Sequence, residues 1–128
     1  MLSNVAMKVR VLEVDDDQAV ADSYAALLQC LGADVRVAYS GEAALAIIPE
    51  FKPNLVLLDI SMPHMDGYET ARRIHDLPER KDFLLAALTS LSRQEAGQHI
   101  AAAGFDHHLV KPLSEDDLNQ LLCALKAE

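Results

Sequence analysis

An apolar run that ends abruptly in a carboxylate constrains this chain more than any other feature. Residues Leu55 to Leu58 run directly into Asp59, and a segment that contains Pro63 and Gly67 follows. This pattern is typical of a buried strand that delivers an acidic side chain to a loop. In an open parallel sheet, ligands bind outside the carboxyl ends of the strands, so Asp59 is placed for chemistry. A lone aspartate at a strand end is also a common turn former, and other residues must decide between the two interpretations.

The same strand-to-polar junction recurs along the chain. Strands are predicted over Val9–Val14, Asp34–Ala38, Leu55–Leu58, Phe83–Leu88 and Leu109–Val110. Amphipathic spacing predicts helices over Gln18–Leu31, from Ser40 to Pro49, over Tyr68–Leu77, from Ser92 to Gly104 and from Ser114 onward. Five strands that alternate with five helices predict a doubly wound, five-stranded parallel α/β sheet of the flavodoxin-like type.

Local signals set the helix ends. Ser40 is predicted to cap the second helix, and Pro49 is expected to limit how far that helix can run. Glu13 interrupts an apolar strand, where a charged side chain needs a partner or a route to solvent. The sequence supplies no explanation for it.

Composition narrows the function. The 128 residues allow one domain, and a formal charge of -9 opposes non-specific binding to nucleic acid or to an anionic membrane. No apolar run approaches the roughly 18 residues that span a bilayer, so we expect a cytoplasmic protein. Cys30 and Cys123 lie in apolar helical patterns and are predicted to be buried free thiols.

Four strands are predicted to end in polar side chains, namely Asp15 with Asp16, Asp59, Thr89 and Lys111. In a parallel sheet these strand ends meet at one edge, so three carboxylates, a hydroxyl and an amine are expected there together. Clustered carboxylates repel one another, which implies a bound cation. Mg²⁺ is usually held by a few such oxygens with waters and phosphate oxygens, and this predicts phosphoryl chemistry.

Four segments carry a family resemblance. They are Val14-Asp15-Asp16-Asp17, Leu57 to Gly67, Ala87-Leu88-Thr89-Ser90 and Leu109-Val110-Lys111-Pro112. In this order and at strand ends, they resemble the response-regulator receiver domain of two-component signalling, of the chemotaxis-regulator type. The resemblance covers Lys8 to Leu125 and implies one receiver domain over residues 8–126 without an output domain. The stretch from Gly104 to Pro112 is similar to receivers of hybrid sensor kinases, so a free-standing protein and an excised receiver both remain open.

The resemblance implies a role for each site residue. Asp59 would accept a phosphoryl group, with contacts to that group from Thr89 and Lys111. Mg²⁺ (or Mn²⁺) would be bound by Asp15, Asp16, Asp59 and the main-chain carbonyl of Ser61. Asp17 is the alternative metal ligand, but the family pattern leaves it to cap the first helix. The donor would be a phosphohistidine on a sensor histidine kinase or a histidine phosphotransfer protein, and the output another protein. The chain would act as a switch rather than an enzyme, and would bind no DNA directly.

Two residues, His108 and Leu91, bear on how the expected switch would work. In the family, Thr89 would act with an aromatic side chain three residues before the lysine, and here that residue is His108. Its plainer interpretation is a solvent-exposed strand residue, and a pH-sensitive or altered output surface is a hypothesis. Adjacent His107 and His108 would point to opposite faces of a strand, which disfavours a zinc site. Leu91 is expected to shield the phosphorylated aspartate from water.

Three alternatives compete with this interpretation. A dehalogenase-type phosphatase would have a second aspartate where this chain has Ser61. A flavodoxin would cradle its phosphate with Ser, Thr and Gly donors, which Asp15 to Asp17 are not. A pseudo-receiver would keep the fold without phosphorylation, although all the expected site residues are present.

Overall fold

The computed structural model of the protein describes residues 8–60, 67–90 and 100–126. The predicted strands form one sheet in which every neighbouring pair is parallel. They are β1 (Arg10–Val14), β2 (Asp34–Ala38), β3 (Leu55–Asp59), β4 (Leu84–Thr89) and β5 (His107–Val110), in the spatial order β2-β1-β3-β4-β5. The predicted α/β sheet is therefore confirmed, and β3, which ends in Asp59, is its central strand.

Helices connect the strands. They are α1 (Gln18–Cys30), α2 (Gly41–Phe51), α3 (Gly67–His75), α4 (residues 100–102 of the described chain) and α5 (Glu115–Lys126). A short 3-10 helix, Pro78–Asp82, lies between α3 and β4. The predicted start of the fourth helix at Ser92 lies outside the described residues. No helix in the described part of the chain is long and apolar enough to cross a membrane.

The sheet is covered on both faces, which explains the near-continuous apolar strands. Successive side chains of a strand point to opposite faces, so each central strand contributes to two cores. Leu12 and Leu58 pack with residues of α2 and α3, whereas Leu55 and Leu57 pack with residues of α1 and α5. The carboxyl ends of the strands are thereby held at fixed relative heights along one edge, which we call the carboxyl edge.

The predicted caps are confirmed, and α2 ends soon after Pro49, as expected. The Asp17 side chain accepts a hydrogen bond from the Val20 amide at 3.2 Å, and Ser40 accepts one from Ala43 at 3.0 Å. Helix α2 continues past Pro49 to Phe51. A proline removes a single main-chain donor, and here the helix ends within the same turn, so one missing bond is tolerated.

The prediction that both cysteines are buried is wrong, because Cys30 and Cys123 are exposed free thiols. On α1 the buried face carries Ala21, Ala25 and Leu28. Cys30 lies two residues beyond Leu28 and so points away from that face. Spacing placed Cys30 in an apolar pattern, but the register of the helix decides which face is covered.

A cluster of polar side chains lies at the amino edge of the sheet, opposite the carboxyl edge. The Arg80 guanidinium donates to the Gly104 carbonyl and to the Asp106 carboxylate, each at 3.1 Å, and to Nδ1 of His75 at 3.2 Å. Nε2 of His75 lies 3.0 Å from the carbonyl oxygen of Ala103. The end of α3 is thus joined to the chain that enters β5.

Gly104 fits this cluster because it has no side chain. Its φ is +86°, and a Cβ atom there would lie 2.2 Å from Nε2 of His75. Gly32 also has a positive φ, +97°, but nothing lies within 4 Å of its missing Cβ. The two glycines therefore separate backbone strain from steric conflict.

We predict that Gly104→Ala destabilises the fold more than Gly32→Ala does. Each substitution forces a non-glycine residue into a left-handed conformation, at a cost of about 1–3 kcal/mol. Only the alanine at position 104 must also displace the His75 ring. Urea unfolding measures both losses, and equal losses would contradict the steric argument.

Candidate functional site

Three charged side chains from three strand ends meet at the carboxyl edge. Asp15 follows β1, Asp59 ends β3, and Lys111 follows β5. The Lys111 ammonium donates to Oδ2 of Asp15 at 2.9 Å and also to Oδ2 of Asp59. Residues that are 96 and 52 positions apart in sequence are thus brought onto one nitrogen atom. The predicted convergence of Asp15, Asp59 and Lys111 is present in the structure.

Burial makes these charges interdependent. Asp15 is 1% exposed and Asp59 is 4% exposed, so neither carboxylate is well hydrated. Burial alone would lower the pKa of Lys111, but its hydrogen bonds to Asp59 and Asp15 and their negative charges outweigh burial and raise that pKa. The lysine therefore stays cationic at neutral pH. One ammonium facing two carboxylates leaves a negative charge that attracts a further cation.

The neighbouring acidic residues have different places. The Asp17 amide donates to Oδ1 of Asp15 at 3.0 Å, and the Asp17 side chain caps α1, as predicted. Asp16 lies between them and is half-buried. Asp17 is therefore occupied with the start of a helix, and Asp16 directly follows the buried Asp15 in sequence.

Thr89 lies at the same edge. It is the last residue of β4 and fully buried, and its carbonyl oxygen accepts a hydrogen bond from the Lys111 amide at 2.9 Å. In the sheet register its neighbour Leu88 is paired with Asp59. A hydroxyl residue on the strand next to Asp59 thus accompanies the lysine.

Comparison with known proteins identifies this arrangement. A family model described as the response regulator receiver domain matches residues 11–123. The chain belongs to the response regulator receiver domain family. The predicted resemblance is confirmed, and with it the role of such domains in two-component signalling.

Individual relatives agree. MprA of Mycobacterium tuberculosis (strain H37Rv), a response regulator, is 38% identical over 125 residues, which cover 94% of this receiver and 50% of MprA. A 14.6 kDa protein of Leptolyngbya boryana is 35% identical over 112 residues, or 88% of this chain and 86% of that protein. The chemotaxis response regulator CheY4 of Vibrio cholerae superimposes with a TM-score of 0.83 at 28% identity, covering 93% and 99% of the two chains. The receiver spans about half the length of MprA.

The receiver's donor set suits a small divalent cation. Among residues 8–60, 67–90 and 100–126, no three His, Cys, Asp or Glu side chains are grouped closely enough to hold a metal ion by themselves. Mg²⁺ does not need such a cage, because it is usually bound through one or two carboxylates with waters and phosphate oxygens. Asp15 and Asp59, joined at one lysine, match that requirement. The predicted ligand Ser61 and the predicted shield Leu91 lie outside the described residues.

His108 is half-buried rather than solvent-exposed, so its plainer interpretation is wrong. It is the second residue of β5 and is paired in register with Ala87, and its Nε2 atom is buried. The adjacent His107, which points to the opposite face, is exposed. Packing on the edge strand covers one histidine and leaves the other in water.

Glu13 is the residue that the sequence could not explain. It is fully buried on β1, two residues before Asp15 and on the same face. Neither carboxyl oxygen has a hydrogen-bond partner among the described residues. Burial, followed by the negative charge of Asp15, raises the pKa of Glu13 from 4.5 to about 8, with Lys111 opposing the shift and Asp59 adding to it. The receiver thus holds a neutral acid beneath its site at neutral pH.

Gly67 has a steric role that the sequence hid. The pair Asp66-Gly67 is typical of a turn, and Asp66 lies outside the described residues. A Cβ at Gly67 would lie 2.6 Å from Cα of Ile60, the residue after Asp59. Helix α3 therefore begins directly against the end of β3, and this contact holds the backbone beside Asp59.

We predict that Glu13 makes the receiver less stable as pH rises. The folded state keeps the Glu13 proton up to about pH 8, whereas the unfolded chain releases it near 4.5. Between these values the free energy of unfolding should fall by up to about 1.4 kcal/mol per pH unit. Below pH 4.5 Glu13 is protonated in both the folded and the unfolded state, so it no longer makes the free energy of unfolding depend on pH.

The measurement is denaturant unfolding between pH 5 and 8 for wild type, Glu13→Gln and the exposed control Glu50→Gln. The Glu13→Gln curve should be flatter than the other two, since glutamine does not titrate. Parallel curves for all three proteins would contradict the prediction.

Proposed function

We propose that this receiver accepts a phosphoryl group on Asp59 from a phosphohistidine, in a Mg²⁺-dependent reaction that switches a protein-binding surface. The observation that supports it best is the ion pair of Lys111 with both Asp15 and Asp59 at the carboxyl edge. A nucleophilic carboxylate, a fixed cation and a second carboxylate are the groups that phosphoryl transfer to an aspartate needs.

The proposed transfer follows from these groups. An Asp59 oxygen attacks phosphorus while the phosphorus–nitrogen bond breaks, and the departing imidazole nitrogen keeps the electron pair and takes up a proton. Negative charge develops on the phosphoryl oxygens, and the Lys111 ammonium neutralises part of it. Because Lys111 is already held beside Asp59, little reorganisation is needed.

A divalent cation would complete the site. Asp15, Asp16 and Asp59 would hold Mg²⁺ (or Mn²⁺) with the main-chain carbonyl of Ser61. When bound, it would supply positive charge that draws the phosphoryl oxygens towards Asp59. The chain's own carboxylates would hold this cation and exclude other anions from the pocket.

The output would follow from rearrangement around Thr89 and His108. The Thr89 hydroxyl would donate to a phosphoryl oxygen, and His108 on the neighbouring strand would respond. The receiver would assist its own phosphorylation and dephosphorylation without acting on a separate substrate. Its donor would be a sensor histidine kinase or a histidine phosphotransfer protein in the cytoplasm, and its target another protein rather than DNA.

We predict that incubation with acetyl phosphate and Mg²⁺ adds one phosphoryl group to the wild-type chain. Asp59→Asn should abolish this addition, because an amide cannot form an acyl phosphate. Asp34→Asn is the matched control, since Asp34 is an exposed carboxylate at the start of β2 and the opposite edge of the sheet. Intact-protein mass spectrometry reads out all three proteins.

Removal of Mg²⁺ with EDTA should also abolish the addition. If Asp59→Asn became phosphorylated, Asp59 would be rejected as the acceptor. If the wild type did not become phosphorylated, the acceptor role would also be rejected, and a pseudo-receiver would be favoured.

A further inference from the structure

Tyr39 joins two elements that flank the predicted metal loop. It follows β2 directly, and its hydroxyl donates to Oδ1 of Asp22 on α1 at 2.7 Å. The Tyr39 side chain is 39% exposed, so packing in the core does not dictate its position. We call this hydrogen bond the Tyr39–Asp22 tie.

The tie encloses residues 15–17. At one end of this loop, the Asp15 amide donates to the Ala38 carbonyl at 3.1 Å, which fastens it to the residue before Tyr39. At the other end, the Asp17 side chain caps α1 by accepting a hydrogen bond from the Val20 amide. Val20 lies two residues before Asp22 on the same helix. The loop is therefore held between β2 and α1, and the tie links those two elements across it.

Such a link has a physical effect on the loop. Asp16 and Asp17 follow Asp15, whose counter-charge Lys111 is shared with Asp59. Repulsion among these carboxylates favours a spread loop when no further cation is bound. A bond between the flanking elements restricts that spreading before any cation arrives. Ordering a site in advance removes part of the entropy cost of binding.

We propose that the Tyr39–Asp22 tie positions the Asp15–Asp17 loop for the divalent cation, which makes Tyr39 a positioning residue for phosphorylation. This inference rests on the proposed function, because it concerns the cation of that reaction. Tyr39 touches no reacting atom and acts through the loop.

The test is the affinity for Mg²⁺ alone, measured by calorimetric titration of the full chain. Tyr39→Phe removes only the hydroxyl and should weaken Mg²⁺ binding by about threefold to tenfold, the range of a typical hydrogen bond. It should also speed amide hydrogen exchange at Asp16 and Asp17. Thermal unfolding should shift by no more than the few degrees that one hydrogen bond is worth, because the exposed side chain leaves no cavity in the core.

Two variants isolate the tie from the charge of Asp22. Asp22→Asn removes that charge but keeps an acceptor oxygen for Tyr39, and it should weaken Mg²⁺ binding less than Tyr39→Phe does. Ser23→Ala deletes another exposed hydroxyl of α1, which bonds only to its own helix at Ala19 among the described residues, and should leave the affinity unchanged.

The outcomes separate this inference from the proposed function. The proposed role of the tie would be overturned if Tyr39→Phe bound Mg²⁺ with wild-type affinity, or if Asp22→Asn lost as much affinity as Tyr39→Phe or more. In either case the acceptor role of Asp59 would stand as long as the wild-type chain became phosphorylated. A wild-type chain that neither bound Mg²⁺ nor became phosphorylated would overturn both.

Discussion

The ion pair of one lysine with two buried carboxylates is the constraint on which this receiver depends. A carboxylate removed from water is costly unless a counter-charge lies beside it, and both Asp15 and Asp59 are almost fully buried. Lys111 supplies that charge from β5, two strands away from β3. The pairing therefore requires β1, β3, β4 and β5 to be in register, so the site exists only where the sheet is assembled.

Much of this arrangement could be predicted from the sequence. Asp59 and Lys111 follow apolar runs, and parallel strands must bring their carboxyl ends to one edge, so periodicity alone brought these residues together. The cap at Ser40 was predictable because a capping bond involves residues only three apart. The cap at Asp17 was predictable only through the family resemblance, which assigns Asp15 and Asp16 to the metal. Local rules succeed where the partners are local or where sheet topology leaves one choice.

The failures share a cause, which is that tertiary packing decides them. Whether Cys30 is covered depends on the rotation of α1 against the sheet, and the half-burial of His108 depends on what packs on an edge strand. The raised pKa of Glu13 depends first on how deeply packing buries it, and then on its distance from Asp15 and Lys111. The closeness of Gly67 to Ile60 is likewise a contact between elements, whereas the sequence showed only a residue suited to a turn.

The described chain has two exposed large apolar side chains, Tyr39 and Val110, and both lie at the carboxyl edge. They follow or end the two outermost strands, β2 and β5. With about 4.8 Å between neighbouring strands, four spacings separate them by roughly 19 Å, with Asp59 midway. A macromolecule that places its reactive group over Asp59 would need a contact surface of that width to reach both Tyr39 and Val110. A small phosphorylated metabolite could enter between these two side chains and touch neither.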